Sequence, residues 1–200
     1  LNFLAFLGWN PGTEQELFSL SELVEAFSLE RINKAGAKFD VNKAKWFNEQ
    51  YLKQQAPADL AKEYLGNLPT DQAIAFVGLF LDRITFPQEL SNLVAAFVEK
   101  PNVYDEAVIQ NKWNQEAANG LVLIAKALPQ VTVWEADNIK QAIHDCLEAG
   151  GIKMGKVMQM LRVALSGNGA GPDLMISMQL WGKDQVIDRL NHALQVFPKL

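Results

Sequence analysis

The sequence predicts an all-α, multi-helix fold, on three observations. Apolar residues recur at helical spacing: Ile139, Ala142, Ile143, Cys146 and Leu147 stand at offsets 0, 3, 4, 7 and 8. Helix-start and helix-stop residues bracket such runs along the whole chain. Alternating patterns of useful strand length are missing, and Val131-Thr132-Val133, the one β-like string, is too short to found a sheet.

The elements follow in order. In Phe18-Ser19-Leu20-Ser21-Glu22-Leu23 a serine caps, a glutamate three residues on reaches back, and Phe18 staples to Leu23. Asp40 is placed to cap a helix carrying Val41, Ala44, Trp46, Phe47, Tyr51 and Leu52. Pro57 suits the first turn of a helix that Gly66 ends. Helices over Thr70–Ile84 and, after Pro87, Glu89–Glu99 come next. Lys100-Pro101-Asn102 is the clearest break. Beyond it the pattern predicts one long helix from about Asp105 to Ala127. A second capping box, Thr132 with Glu135, then opens a helix stopped by Gly150-Gly151. A helix over Lys153–Ser166, a glycine turn and a last pair of helices complete the chain.

Length and composition narrow the function classes. Two hundred residues with 49% hydrophobic and 20% charged content make about one domain, or two small ones, with a real core. A disordered chain, a collagen and a coiled-coil rod are excluded. The apolar runs fall short of the ~20 residues that span a bilayer. Leu1–Trp9 is apolar but short and without a basic leader, a poor signal peptide. A chain that opens on Leu1 inside an apolar run is expected to be a fragment of a longer protein. Cys146 stands alone, which argues against a disulfide framework or a thiolate metal cluster and for a reducing, cytoplasmic setting. His144 and His192 have no carboxylate or thiol at metal-ligand spacing, so neither a metal site nor a catalytic histidine is expected.

The net charge of −5 argues against nonspecific coating of a polyanion, but it leaves room for a reader with a local basic patch. Between Arg31 and Lys62 seven basic residues face three acids, a local +4, whereas between Glu99 and Glu148 eight acids outnumber four lysines. The basic stretch also holds Trp46, Phe47 and Tyr51. Either a nucleic acid lands there, lysines on phosphates and aromatic faces on bases, or a solvated basic face covers core aromatics.

No catalytic signature is present: no phosphate loop with a terminal lysine, no paired cysteines, no His-Glu-x-x-His. Gly167-Asn168-Gly169-Ala170-Gly171 follows a helix rather than a strand, so it is read as a turn. Gly167 ends one helix, Pro172 starts the next, and Asp173 sits at that helix's positive end. On the helix Lys153–Ser166, Gly155, Gln159, Arg162 and Ser166 form a polar stripe about 60° wide on an otherwise mostly apolar cylinder. A buried guanidinium must find partners. Arg162 either pairs with an acid such as Asp173 or Asp184, or faces a cleft and offers its planar fork to a ligand. Arg83, in Leu81-Asp82-Arg83-Ile84, is by default a cation stabilised at a helix C-terminus.

Several strings resemble bacterial glutamyl-tRNA synthetases. They are Leu4-Ala5-Phe6-Leu7-Gly8-Trp9 with Pro11-Gly12, and Phe18 to Leu23 with Phe27, Leu29-Glu30-Arg31, Lys34, Phe39-Asp40, Lys43, Trp46, Asn48 and Tyr51. Near the other end are Gly155 to Gly167, with Gly171-Pro172 and Leu174. The likeness is specific over residues 1–55 and 150–182 and weak between. It implies a stem-contact remnant over 1–55 and two helical anticodon-binding subdomains, 56–103 and 104–200. It implies a class I catalytic domain, with His-Ile-Gly-His and Lys-Met-Ser-Lys-Ser signatures, upstream of Leu1. Neither signature occurs here, so no catalytic residue, no cofactor and no activity are expected of this chain alone; ATP and magnesium belong to the catalytic domain.

The resemblance further implies that Gln159 and Arg162 touch anticodon bases and that Leu174 packs on one. Arg83 aligns loosely with an arginine near the third anticodon position. Met160 stands where the family often has proline. Lys34, Lys43, Lys45, Lys153 and Lys156 are expected on the tRNA backbone. The expected partner is tRNA(Glu), with no DNA, no membrane and a monomeric chain. The alternative is a helical protein–protein interaction module without RNA binding.

Overall fold

Side-chain caps mark the start of five helices, and the computed structural model, which describes residues 1–34 and 36–199, contains twelve α-helices among them. The first three are α1 (Asn2–Gly8), α2 (Leu20–Ala26) and α3 (Val41–Lys53). Ser19 and Glu22 form the expected capping box, and the Asp40 carboxylate accepts from the Asn42 and Lys43 amides. Trp9, Phe18 and Leu23 make a small buried cluster here. A polar anchor lies beneath it. Asn2, 4% exposed, takes the Phe18 amide on Oδ1 at 2.5 Å and donates to the Glu16 carbonyl at 2.7 Å. The Tyr51 hydroxyl lies 2.9 Å from Asn2 Oδ1 and the same distance from the Phe18 carbonyl.

A second core gathers Leu52, α4 (Pro57–Tyr64), α5 (Thr70–Phe80) and α6 (Glu89–Val98) around Phe76, Val77 and Leu90. The helix expected to run to Ile84 ends as a helix at Phe80 and continues as a single 3-10 turn, Leu81–Arg83. Its end is held by α3: the Asn48 amide donates to the Thr85 carbonyl, and the Thr85 hydroxyl donates to Glu49 at 2.8 Å. Ile84, buried on the far side of the turn, completes the redirection.

The largest core lies after the Lys100-Pro101-Asn102 break. It is built from α7 (Glu106–Lys112), α8 (Gln115–Ala127), α9 (Ala136–Ala149), α10 (Met154–Ser166), α11 (Leu174–Trp181) and α12 (Lys183–Val196). α10 is its centre, packed against α7, α8, α9 and α12. Val157, Met160, Leu161, Val163, Ala164 and Leu165 are all fully buried, as a helix apolar on most sides requires.

Two expectations fail in this region. The long helix 105–127 is two helices, because Trp113 turns away to donate from Nε1 to the Pro198 carbonyl at 2.8 Å, and Asn114 caps α8 through the Ala117 amide. Thr132 and Glu135 do not form a capping box: α9 has no cap from its own N-terminal residues. The Ala136 amide is satisfied instead by Gln179 Oε1 of α11 at 2.8 Å.

The middle and large cores share Phe97, and α11 packs against α5 across the join. No strand occurs among the described residues, only an isolated bridge between Trp9 and Ile32.

Candidate anticodon-reading cleft

Local backbone geometry brings two arginines together. α10 ends on Gly167 in the left-handed region (φ +78°), where a Cβ would meet the Val103 carbonyl oxygen at 2.6 Å. The chain then loops back through Gly171 and Pro172 to Asp173, whose carboxylate caps α11 through the Ile176 amide at 2.9 Å. This return leaves the Gly171 and Pro172 carbonyls beside α10. Arg162 donates from Nη1 to the Pro172 oxygen at 2.7 Å, and Arg83, from the other core, donates from Nη2 to the Gly171 oxygen at 2.6 Å. A side chain at Gly171 would press on Arg162 Nη1 at 3.0 Å.

The two guanidiniums line one side of an open cavity of about 350 Å³; Ser166 and the Phe97–Trp181 pair line it further. Those rings are stacked at 4.5 Å. Of the two partners considered for Arg162, neither is used. Among the described residues no carboxylate lies within ion-pair distance of Arg162 or Arg83. Burial pushes the Arg162 pKa down; Asp173 opposes this and the nearby Arg83 charge reinforces it. Arginine stays cationic under such shifts. The site is therefore a concentration of positive charge at the junction of two cores. One donor of each fork is engaged by a carbonyl, and further donors remain for an occupant.

The other predicted residues lie at varying distances from this cavity. Gln159 is exposed on α10, three residues before Arg162. Leu174, 4% exposed, belongs to the large core and does not line the cavity. Met160, where the proline would stand, is fully buried and α10 runs through it without interruption. Lys153 and Lys156 are exposed at the start of α10, and Lys34 and Lys45 are exposed in the first region. Lys43 is engaged: its ammonium sits 2.8 Å from Glu16 and 5.1 Å from the centre of the Phe6 ring. Of the aromatic residues in the basic stretch, Phe47 serves the interior, whereas Phe39 and Tyr51 are exposed, Tyr51 with its hydroxyl turned to Asn2 and the Phe18 carbonyl. Phe47 is 2% exposed, with Trp46 edge-on at 5.0 Å.

Two features escaped the sequence reading. The expectation that His144 has no carboxylate at ligand spacing is corrected: its Nδ1 lies 3.4 Å from Asp145 and 3.9 Å from Glu148, one residue and one helical turn away, and all three side chains are exposed. Arg189, 2% exposed, is a fully buried cation behind the cleft. The helical period places position 189 on the buried face of α12 with Val186 and Ala193, and that signal could have found it.

Comparison with known proteins gives a consistent result. The profile of a family described as anticodon binding domain matches residues 20–194. The glutamate–tRNA ligase of Cytophaga hutchinsonii is 44% identical over 96% of this chain, and that of Flavobacterium johnsoniae 40% identical over 97%. A crystal structure of a glutamate tRNA ligase from Elizabethkingia meningosepticum superposes with a TM-score of 0.89 at 34% identity, covering 98% of the chain. The chain spans about 40% of the length of these relatives.

Proposed function

Because the chain belongs to the anticodon-binding domain family, we propose that it is the anticodon-reading portion of a glutamate–tRNA ligase and that its partner is tRNA(Glu). One observation carries this reading: Arg83 and Arg162, from different parts of the fold, meet at the rim of one cavity with no carboxylate partner among the described residues. Anticodon bases are single-stranded, so their edges are open to such forks. Arg162 and Arg83 donate to base acceptors, and Gln159, one turn earlier on α10, matches a donor–acceptor edge. The exposed Lys34, Lys45, Lys153 and Lys156 hold phosphates, adding affinity without sequence choice. Lys43 joins them only by releasing Glu16. Leu174 reaches a base only if the first turn of α11 moves.

In this reading residues 1–55 are the end of a stem-contact region, and 56–103 and 104–200 are two anticodon-binding subdomains. Three buried clusters support the division, though Leu52 of the first range packs into the middle cluster and Phe97 joins the middle and large ones. The whole ligase joins glutamate to tRNA with ATP and magnesium. This portion supplies recognition and no chemistry, acts as a monomer and works in the cytoplasm. No described helix is long and apolar enough to cross a membrane.

The test is a titration of the chain with tRNA(Glu) and with an anticodon-mutated tRNA across salt concentrations. The cognate RNA binds more tightly, and Arg162→Ala removes about 1–3 kcal/mol of that preference. Equal binding of the two RNAs, or an unchanged preference in the variant, overturns the assignment.

A further inference from the structure

Arg189 buries a full charge with no carboxylate in ion-pair range among the described residues. Such burial is costly unless the charge finds hydrogen-bond partners. Here Nη1 and Nη2 find main-chain oxygens at two helix ends. Nη1 donates to the Leu165 carbonyl of α10 at 3.0 Å. Nη2 donates to the Phe97 and Val98 carbonyls of α6 at 3.3 and 2.8 Å. These carbonyls belong to the last turns of their helices, where the oxygens lack intrahelical partners and the helix dipole is negative. The guanidinium also lies 4.4 Å above the Trp181 ring. Trp181 stacks on Phe97 and donates from Nε1 to the same Phe97 carbonyl at 2.7 Å. Phe97 reaches into the middle core, edge-on to Phe76 and Phe80 at 5.7 and 5.3 Å.

The two helix ends held by this one side chain belong to the structures that carry the cleft arginines. Leu165 follows Arg162 by three residues on α10. α6 shares its core with α5, whose 3-10 extension ends on Arg83. We propose that Arg189 is a positioning residue that clamps the ends of α6 and α10 together and so fixes the spacing of Arg83 and Arg162. Displacing either helix end strands a buried cation, so the join resists both opening and sliding. The cleft is preorganised rather than closed by its ligand. The functional half of this inference rests on the anticodon reading above; the geometric half does not.

The experiment separates the two. Nitroxide labels are placed at the exposed positions 62 (α4) and 141 (α9) through Lys62→Cys and Gln141→Cys in a Cys146→Ser background, and their separation is measured by pulsed dipolar spectroscopy. The parent shows one narrow distance. Arg189→Lys keeps the charge and loses the three-carbonyl fork, and its distribution broadens while circular dichroism shows it folded. In RNA titrations the same variant loses the preference for the cognate anticodon by about tenfold, with unchanged salt dependence. A residue that merely stabilised the fold would weaken all RNAs by one factor and leave the folded-state distance narrow. A narrow distance in folded Arg189→Lys, or a broadened one with the preference intact, overturns the proposal. If the parent binds no RNA yet the variant's distance broadens, the anticodon reading fails and the clamp stands. Should Arg189→Lys not fold, Trp181→Phe, which deletes the indole bond to Phe97, gives the same two readouts.

Discussion

Glu22 reaches back from the first turn of α2 to the Ser19 amide at 2.7 Å, while Ser19 Oγ accepts from the Glu22 amide. The Ser19 amide, and then its hydroxyl, hold the Glu22 carboxyl below the ordinary glutamate range. With the folded-state value below the unfolded one, the stabilisation is complete above the unfolded-state range and fades as pH falls through the folded one. Glu22→Gln is therefore expected to melt earlier than the parent near neutrality, the two curves converging in acid. A gap that stays constant with pH would place the stabilisation elsewhere. This residue was legible because both partners of a capping box lie three positions apart. The cleft was legible only in part. The polar stripe on α10 singled out Arg162, but two outcomes remained open for it. Choosing between them needed the path of the return loop, which sets the Gly171 and Pro172 carbonyls where the guanidinium ends. Arg189 satisfies its charge with oxygens 91 and 24 residues away, Val98 and Leu165, and no spacing rule reaches so far.

At the scale of elements the same contrast holds. Helices begun by Ser19, Asp40 and Pro57 stand where the sequence puts them, and the helix before Gly150-Gly151 stops there. The departures occur where a distant partner overrides the local signal. Thr85, tied to α3, unwinds the end of α5. Gln179 takes over the cap of α9. Trp113, edge-on to Phe197 at 5.0 Å and bonded to Pro198, breaks an otherwise continuous helical pattern. The break makes Asn114 a capping residue instead of a mid-helix one, and the two roles predict opposite effects of one substitution. Asn114→Ala removes the acceptor for the Ala117 amide, and denaturant titration should show a loss of about 1 kcal/mol. In an unbroken helix alanine would be neutral or stabilising.

Over the whole molecule, charge is divided by role. The chain is acidic overall, at −5, yet Lys153 and Lys156 stand exposed at the opening of α10, ahead of Arg162 on the same helix. Exposed lysines act on phosphates through counterion release, which depends on salt and is blind to sequence. In the proposed reading the cleft arginines make short directional bonds to bases, which depend on which base is present. The two contributions should therefore separate under mutation. Lys153→Ala with Lys156→Ala weakens cognate and anticodon-mutated tRNA by the same factor. It also reduces the slope of log affinity against log salt by about one for each phosphate that is no longer neutralised. The preference for the cognate anticodon is unchanged. Arg162→Ala has the reverse signature, a weakened preference on a little-altered slope. Titrations of both variants at several salt concentrations decide the matter. If removing the lysines erodes the preference, the phosphates set the register in which the cleft meets its bases. Reading and holding would then be a single act, and the division of roles between the two kinds of cation would fail.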